Sequence, residues 1–269
     1  MVRFKSFKGL FIQPNLVLGA FIYVILTLLF NSAYATPFST WLKESTWHPI
    51  VAVGLGTATS SNLGESTAFP IQNPITDQFY NYSAFHSMKT ATLFNGFLGA
   101  QVGLFPDWLL ETGLDYNQNS PFLARGGLVQ GADVQSSDTY TYHYSIVTKQ
   151  ALIEGKLLYT FKQYFHPYLL LGLGAAFNKA FNYATDIPPF LTFTRMYSDH
   201  NNTSFSYAAG IGLDTDISDH LRLGIGYRFA DLGKVELGNA TINTTNVIGT
   251  LSQNHLYANE GLIQLTAVI

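Results

Sequence analysis

Leu221-Arg222-Leu223-Gly224-Ile225-Gly226-Tyr227-Arg228-Phe229-Ala230 decides the fold. Leu221, Leu223, Ile225, Tyr227 and Phe229 share one face of an extended chain; Arg222, Gly224, Gly226, Arg228 and Ala230 share the other. A period of two with one greasy face and one small or charged face is the signature of a membrane-spanning β-strand.

The same alternation recurs outward from this stretch in both directions. Eight strands are expected, at about 47–58, 90–104, 108–118, 140–161, 164–177, 203–215, 221–230 and 256–269. Short turns are expected around Pro106, around Gln163 and over Asp216–His220. Four long connections, about 59–89, 119–139, 178–202 and 231–254, alternate with them. Short turns at one end and long loops at the other describe an up-and-down transmembrane β-barrel whose long loops face outward. The reading is therefore an all-β, eight-stranded, antiparallel barrel in the bacterial outer membrane. An even strand count puts both termini on the periplasmic side.

The first segment is read as a signal peptide over residues 1–35, with the barrel domain over 36–269. Arg3, Lys5 and Lys8 precede an apolar run from Leu16 to Phe30, and Ala33-Tyr34-Ala35 is a small-x-small cleavage site before Thr36-Pro37. The run is short for a helical span of about 20 residues. Without residues 1–35 the chain has 11 basic and 17 acidic residues, a net charge of −6. That charge and the lack of a basic run argue against nucleic acid as a partner. Cysteine is absent, which removes disulfides, thiolate metal sites and cysteine nucleophiles. Charged residues make up 12% of the chain, against about 25% in a soluble domain. The 21 Phe and 16 Tyr suit aromatic girdles; Trp108, Tyr116, Tyr159, Phe161, Phe165, Tyr227 and Phe229 are the expected members.

A narrow eight-stranded barrel has little internal space, so its inner face favours small residues. The charged residues on that face are Glu111, Asp115, Glu154, Lys156, Arg222 and Arg228. Buried charges must pair, and an ion-pair network bridging the lumen is expected from these six. Water-filled space around the same groups would instead make a narrow pore or a small-ligand barrel.

His166-Pro167-Tyr168-Leu169-Leu170-Leu171-Gly172-Leu173-Gly174-Ala175-Ala176, Ala208-Ala209-Gly210-Ile211-Gly212-Leu213-Asp214 and Leu221-Arg222-Leu223-Gly224-Ile225-Gly226-Tyr227-Arg228-Phe229 carry a family likeness. Over roughly residues 48–269 the chain resembles the eight-stranded outer-membrane β-barrel family. That family includes the transmembrane domain of outer membrane protein A and the opacity-type surface proteins. The resemblance implies insertion by the barrel-assembly machinery and contact with outer-membrane lipid and lipopolysaccharide. It also implies a structural or surface-interaction role, with a host surface or extracellular ligand at the loops. One feature departs from the family: Leu265-Thr266-Ala267-Val268-Ile269 ends on an aliphatic residue where members usually end on an aromatic one.

Candidate chemistry is sparse. His143 and Ser145 lie two apart on one strand face and resemble the base and nucleophile of lipid A deacylases. The following Ile146-Val147 departs from the deacylase pattern, and no orienting acid is evident. His86, His200 and His255, with Asp199 before His200, fall in or beside different loops and lack ligand spacing for a metal. Asp214, Asp216 and Asp219 lack the glycine and glutamate of a calcium loop. No glycine-rich loop leads into a helix, so no nucleotide cradle and no cofactor are expected. The expected function is non-enzymatic; a lipid A-modifying hydrolase is the enzymatic alternative.

The mature protein is expected to begin at Thr36 and to fractionate with outer membranes. N-terminal sequencing of detergent-extracted protein checks this, and recovery of a soluble periplasmic form contradicts it.

Overall fold

A computed structural model gives the fold and describes residues 47–71, 77–188 and 194–269. The expected signal segment, with residues 36–46, lies outside the described residues. Eight long strands form the wall: β1 (Trp47–Ser60), β2 (Lys89–Phe105), β3 (Trp108–Asn119), β4 (Asp138–Tyr159), β5 (Phe165–Thr185), β6 (His200–Ser218), β7 (Leu221–Asp231) and β8 (Tyr257–Val268). Each pairs antiparallel with its neighbours in sequence. The first also pairs with the last, from Ile50 opposite Val268 to Thr59 opposite Asn259. These pairings make a ring, so no wall strand has a free edge. Ring closure is what a bilayer demands, since hydrocarbon offers a backbone N–H or C=O no partner.

Parity sets the two surfaces. Leu98, Ile153 and Phe205 point outward and are 63, 69 and 69% exposed. Burying such surface against lipid chains rather than water is worth about 25 cal/mol per Å², so these positions form the lipid belt. The inward positions of β4 are Tyr142, Tyr144, Ile146, Thr148, Gln150, Leu152, Glu154, Lys156 and Leu158, all buried. Glycine makes room for large groups inside. A methyl built on Gly212 would collide with the Tyr168 ring, and one on Gly226 with its hydroxyl. Gly212 is in register with both Tyr168 and Gly226, so the ring lies across two glycines of neighbouring strands.

The three short turns occur at Pro106-Asp107, over residues 160–164 and at Asp219-His220. The last is tighter than the expected Asp216–His220 because β6 continues to Ser218. Lys162 and Gln163 both take positive φ, 51° and 65°, between Phe161 and Phe165, which bond to each other.

At the opposite end the wall strands run further than their sequence pattern suggests. β5 continues to Thr185 and β6 begins at His200. The connections there are folded, not loose. Phe122–Gly131 pairs with the upper half of β4, Phe79–Ala84 pairs with it, and Thr67–Phe69 adds a further strand. From the last connection, Ala240–Ile242 pairs with Thr245–Val247 and with Met196–Tyr197, and Val235–Glu236 pairs with Ser252–Gln253. Together these build a cap over the long-loop end. A bulge in β5 feeds it. The register passes from Ser145–Phe181 to His143–Ala184, and Asn182 takes φ 55°. The extra residue turns Tyr183 inward, where plain alternation would have faced it out.

Single cysteines in this cysteine-free chain test the disposition of the two ends. Gln135→Cys and Asn243→Cys in the cap are expected to react with an impermeant thiol reagent on intact cells. Gln163→Cys and Asp219→Cys at the short turns are expected to react only after permeabilisation. The inverse labelling would reverse the assignment of the ends.

Candidate functional site: the lumen and its cap

The lumen fills in storeys, which the strand register orders from the short turns upward. In the lowest, Arg222 on β7 reaches across the ring. Its Nη1 donates to Glu111 Oε1 at 2.7 Å and Gln101 Oε1 at 3.0 Å, and its Nε donates to Asp216 at 2.9 Å. Asp216 also meets His166 Nε2 at 2.9 Å. Lys156 Nζ donates to Asp214 at 2.5 Å, stands 3.5 Å from Glu111, and sits 4.1 Å above the Tyr168 ring. That placement adds a cation–π contact to two ion pairs.

One storey higher, Arg228 is the hub. Its Nε donates to Glu260 at 2.6 Å, its Nη1 donates to Asp115 at 2.9 Å, and Glu154 lies 3.7 Å away. β7 and β3 stand on opposite sides of the ring, so the Arg222–Glu111 and Arg228–Asp115 pairs span the full lumen. Asn95 donates to Asp115 at 2.5 Å and to Asn117 at 2.9 Å, and receives a bond from Gln264 at 2.9 Å. Asn117 also donates to Asp115. The next storey is neutral. Gln150 donates to the Ser206 hydroxyl at 2.7 Å, and that hydroxyl donates to the Asp231 carbonyl at 2.5 Å.

The structure thus places Glu111, Asp115, Glu154, Lys156, Arg222 and Arg228 in one buried cluster. Asp214, Glu260, His166 and Asp216 join it and were not among the six charges expected to form the network. Parity was the available signal: Asp214 and Glu260 fall on the same polar face as Gly212 and Gln264. Five buried carboxylates, Glu111, Asp115, Glu154, Asp214 and Glu260, face three buried cations, Lys156, Arg222 and Arg228. Glu154 is the worst served. Its Oε2 accepts no hydrogen bond, and neither does Asp214 Oδ1.

Small voids remain within this packing. One of about 20 Å³ lies among Asn95, Glu154, Tyr168, Arg228 and Gln264; one of about 10 Å³ lies among Asn117, Asn119, Thr148, Gln150 and Glu260. Each is the size of a single water.

Above the polar storeys the barrel closes on an apolar core shared with the cap. Tyr82 packs edge-on against Phe69, Tyr142 and Tyr197 at 5.8, 5.2 and 5.9 Å between centroids. Tyr183 and Tyr197 meet at 4.9 Å. Leu63, Phe122, Leu128, Ile146, Leu237 and Leu256 belong to the same cluster. Burial holds the Tyr82 hydroxyl well above its usual range and pushes Tyr197 up to about 12, so these rings stay neutral and behave as core. Phe79-Tyr80-Asn81-Tyr82, within the expected long connection 59–89, turns Tyr80 and Tyr82 into this core. Arg195 is fully buried here, stacked 3.9 Å over Phe69, with Nη1 donating to the Ile248 carbonyl at 2.9 Å.

The other candidate residues stay apart. His143 and Ser145 point outward on β4, and His143 is in register with Arg125 and Ala184, not with an acid. His255 bonds Asp231 at 2.9 Å, while His200 lies 3.6 Å from Glu236. Among the described residues no group of three or more His, Cys, Asp or Glu could hold a metal ion.

Residues 23–253 match the family model of the outer membrane protein beta-barrel domain. The chain belongs to that family. Its place is accordingly the bacterial outer membrane. Solved structures similar to it include outer membrane protein OprG from Pseudomonas aeruginosa, at 12% identity and TM-score 0.46, covering 82% of this chain and 96% of that one. The outer membrane protease OmpT from Escherichia coli is 9% identical with TM-score 0.43, covering 83% and 96%. Neisserial surface protein A is 12% identical with TM-score 0.38, covering 84% and 99%. No curated protein matches the chain. At these identities and scores no activity transfers from the neighbours.

The network predicts an asymmetry between two substitutions. Arg228→Met strips the cation shared by Asp115, Glu154 and Glu260 and is expected to cost about 3–5 kcal/mol, the usual penalty for orphaning a buried charge. Glu154→Gln removes a carboxylate already short of partners and is expected to cost less than about 1 kcal/mol. Urea unfolding in lipid vesicles measures both; equal losses contradict the hub assignment.

Proposed function

We propose that this protein is a closed, non-enzymatic barrel that holds a folded cap at the cell surface for interaction with an extracellular or host partner. The filled lumen carries this reading. Ion pairs span it at two levels, amide bonds fill the next, and the tyrosine core closes the top. The voids beside Arg228 and Gln150 are each about the size of one water. The cap reads as the working part because the long connections gather there on a rigid base. Its tips present Val134 and Ile248, 80 and 82% exposed, outside the lipid belt.

In this reading the capped end faces outward and both termini face the periplasm, with insertion by the barrel-assembly machinery. Outer-membrane lipid and lipopolysaccharide surround the belt. The enzymatic alternative is disfavoured because no acid stands in register with the His143–Ser145 pair: His143 lies opposite Arg125 and Ala184, and Ser145 opposite Leu123 and Phe181.

Two measurements test this. Purified protein in planar bilayers is expected to show no steady conductance; a sustained open level would replace the closed barrel with the narrow pore. Lipopolysaccharide incubated with the protein is expected to keep its acyl chains by mass spectrometry, and their loss would establish a hydrolase.

A further inference from the structure

Among the described residues four Lys or Arg side chains are buried: Lys156, Arg195, Arg222 and Arg228. The three in the lumen each meet at least two carboxylates. Arg195, in the cap, has no exposed surface, and no carboxylate of the described residues pairs with it. A buried cation without a counter-charge is costly. The Phe69 and Tyr80 rings, whose centroids lie 3.9 and 5.4 Å from the guanidinium carbon, offset that cost only in part.

The unmet capacity has a shape. Nη1 of Arg195 donates to the Ile248 carbonyl, whereas Nε and Nη2 have no partner. Those two nitrogens form one edge of the guanidinium, the parallel N–H fork that fits the two oxygens of a carboxylate. The Tyr197 hydroxyl lies beside the guanidinium and makes no hydrogen bond of good geometry, which leaves a further donor for an anion.

Nearby acids do not fill the place. Four cap carboxylates are engaged elsewhere: Asp186 with Thr141, Asp199 with Lys179, Asp231 with His255 and Glu236 with Lys234. Residues 72–76 and 189–193, which complete two of the cap connections, contain no Asp or Glu. The way in from outside is short. Ile248 is 82% exposed while its carbonyl holds Arg195. Gly249, at φ 99°, lies so close to Phe69 that a methyl built on it would collide with the ring. One layer of backbone at Ile248-Gly249 therefore separates the stacked guanidinium from solvent.

We infer that Arg195 anchors a binding site in the cap for a small monocarboxylate, its Nε and Nη2 each donating to one carboxylate oxygen. A single charge is the right complement. Arg195 is the one buried Lys or Arg of the cap among the described residues, and the core around it is aromatic and aliphatic. A phosphate dianion would bring a second charge that nothing there balances. The inference is independent of the closed-barrel reading, since a conducting lumen would leave the cap and its arginine as they are.

Protein refolded from urea into a neutral detergent, and so free of cellular ligand, is titrated by calorimetry with sodium acetate and with sodium benzoate at constant ionic strength. Saturable binding of at least one of them is expected, and none of benzamide, the uncharged counterpart of benzoate. Arg195→Lys keeps the charge and loses the fork; it is expected to bind at least tenfold more weakly. Arg195→Met is expected to abolish binding and to resist urea at least as well as the wild type, because it replaces an orphaned buried charge with an apolar side chain. Failure of both carboxylates to saturate the wild type overturns the proposal. So does saturable binding of inorganic phosphate in their place, or undiminished carboxylate binding by folded Arg195→Lys.

Discussion

Hydrocarbon leaves a polypeptide backbone nothing to bond with but itself, and everything else here depends on how that demand is met. The wall has no free edge because β1 closes on β8 over ten register pairs. Once the ring is fixed at eight strands, its bore is fixed too. A bore that narrow cannot be both lined with large residues and left open. It must be filled, and the filling has to suit the small inward residues that the ring allows.

The filling is polar where the surroundings are least polar. This is a costly choice, since each ion gives up water when it enters the lumen. The geometry offsets that loss by sharing. Arg228 serves three carboxylates and Arg222 two, while the amides of Asn95 and Asn117 donate to Asp115 and the Gln101 oxygen accepts from Arg222. Because the pairs join opposite walls, they also brace the cross-section against flattening. An apolar filling of equal volume would lack this directional tie. Toward the cap, where the chain no longer has to meet lipid, the filling changes to tyrosine and leucine and the barrel acquires a second core of ordinary kind.

Legibility in the sequence followed the same division. Within the belt every residue faces either lipid or lumen, so a period of two runs uninterrupted and Leu221–Ala230 could be read almost residue by residue. The parity of Glu111, Asp115, Glu154, Lys156, Arg222 and Arg228 was visible for that reason. Their partners were not, because Arg228 and Asp115 are 113 residues apart and only ring closure sets their relative height. Asp214 and Glu260 were on the right face with nothing local to mark them. The cap was illegible for a different reason. Its strands are as short as Met196–Tyr197 and Ser252–Gln253, too brief to establish a period, and Met196–Tyr197 pairs with a strand of a different connection. Tyr80, Tyr82 and Ile242 therefore fell within expected long connections, although they belong to one core.

The bulge at Asn182 has a consequence for how such a molecule can change over evolutionary time. Below it, β5 faces its even-numbered residues inward; above it, Tyr183 shows that the rule has switched. A one-residue insertion or deletion within the belt would turn lipid-facing side chains into the lumen along the whole remaining strand. At Asn182 the frame shift is already absorbed, in a left-handed residue whose N–H is held by Asp199. The position thus acts as an expansion joint. Lineages could lengthen, shorten or replace the structure beyond it by odd numbers of residues while the membrane-facing lattice stays in frame.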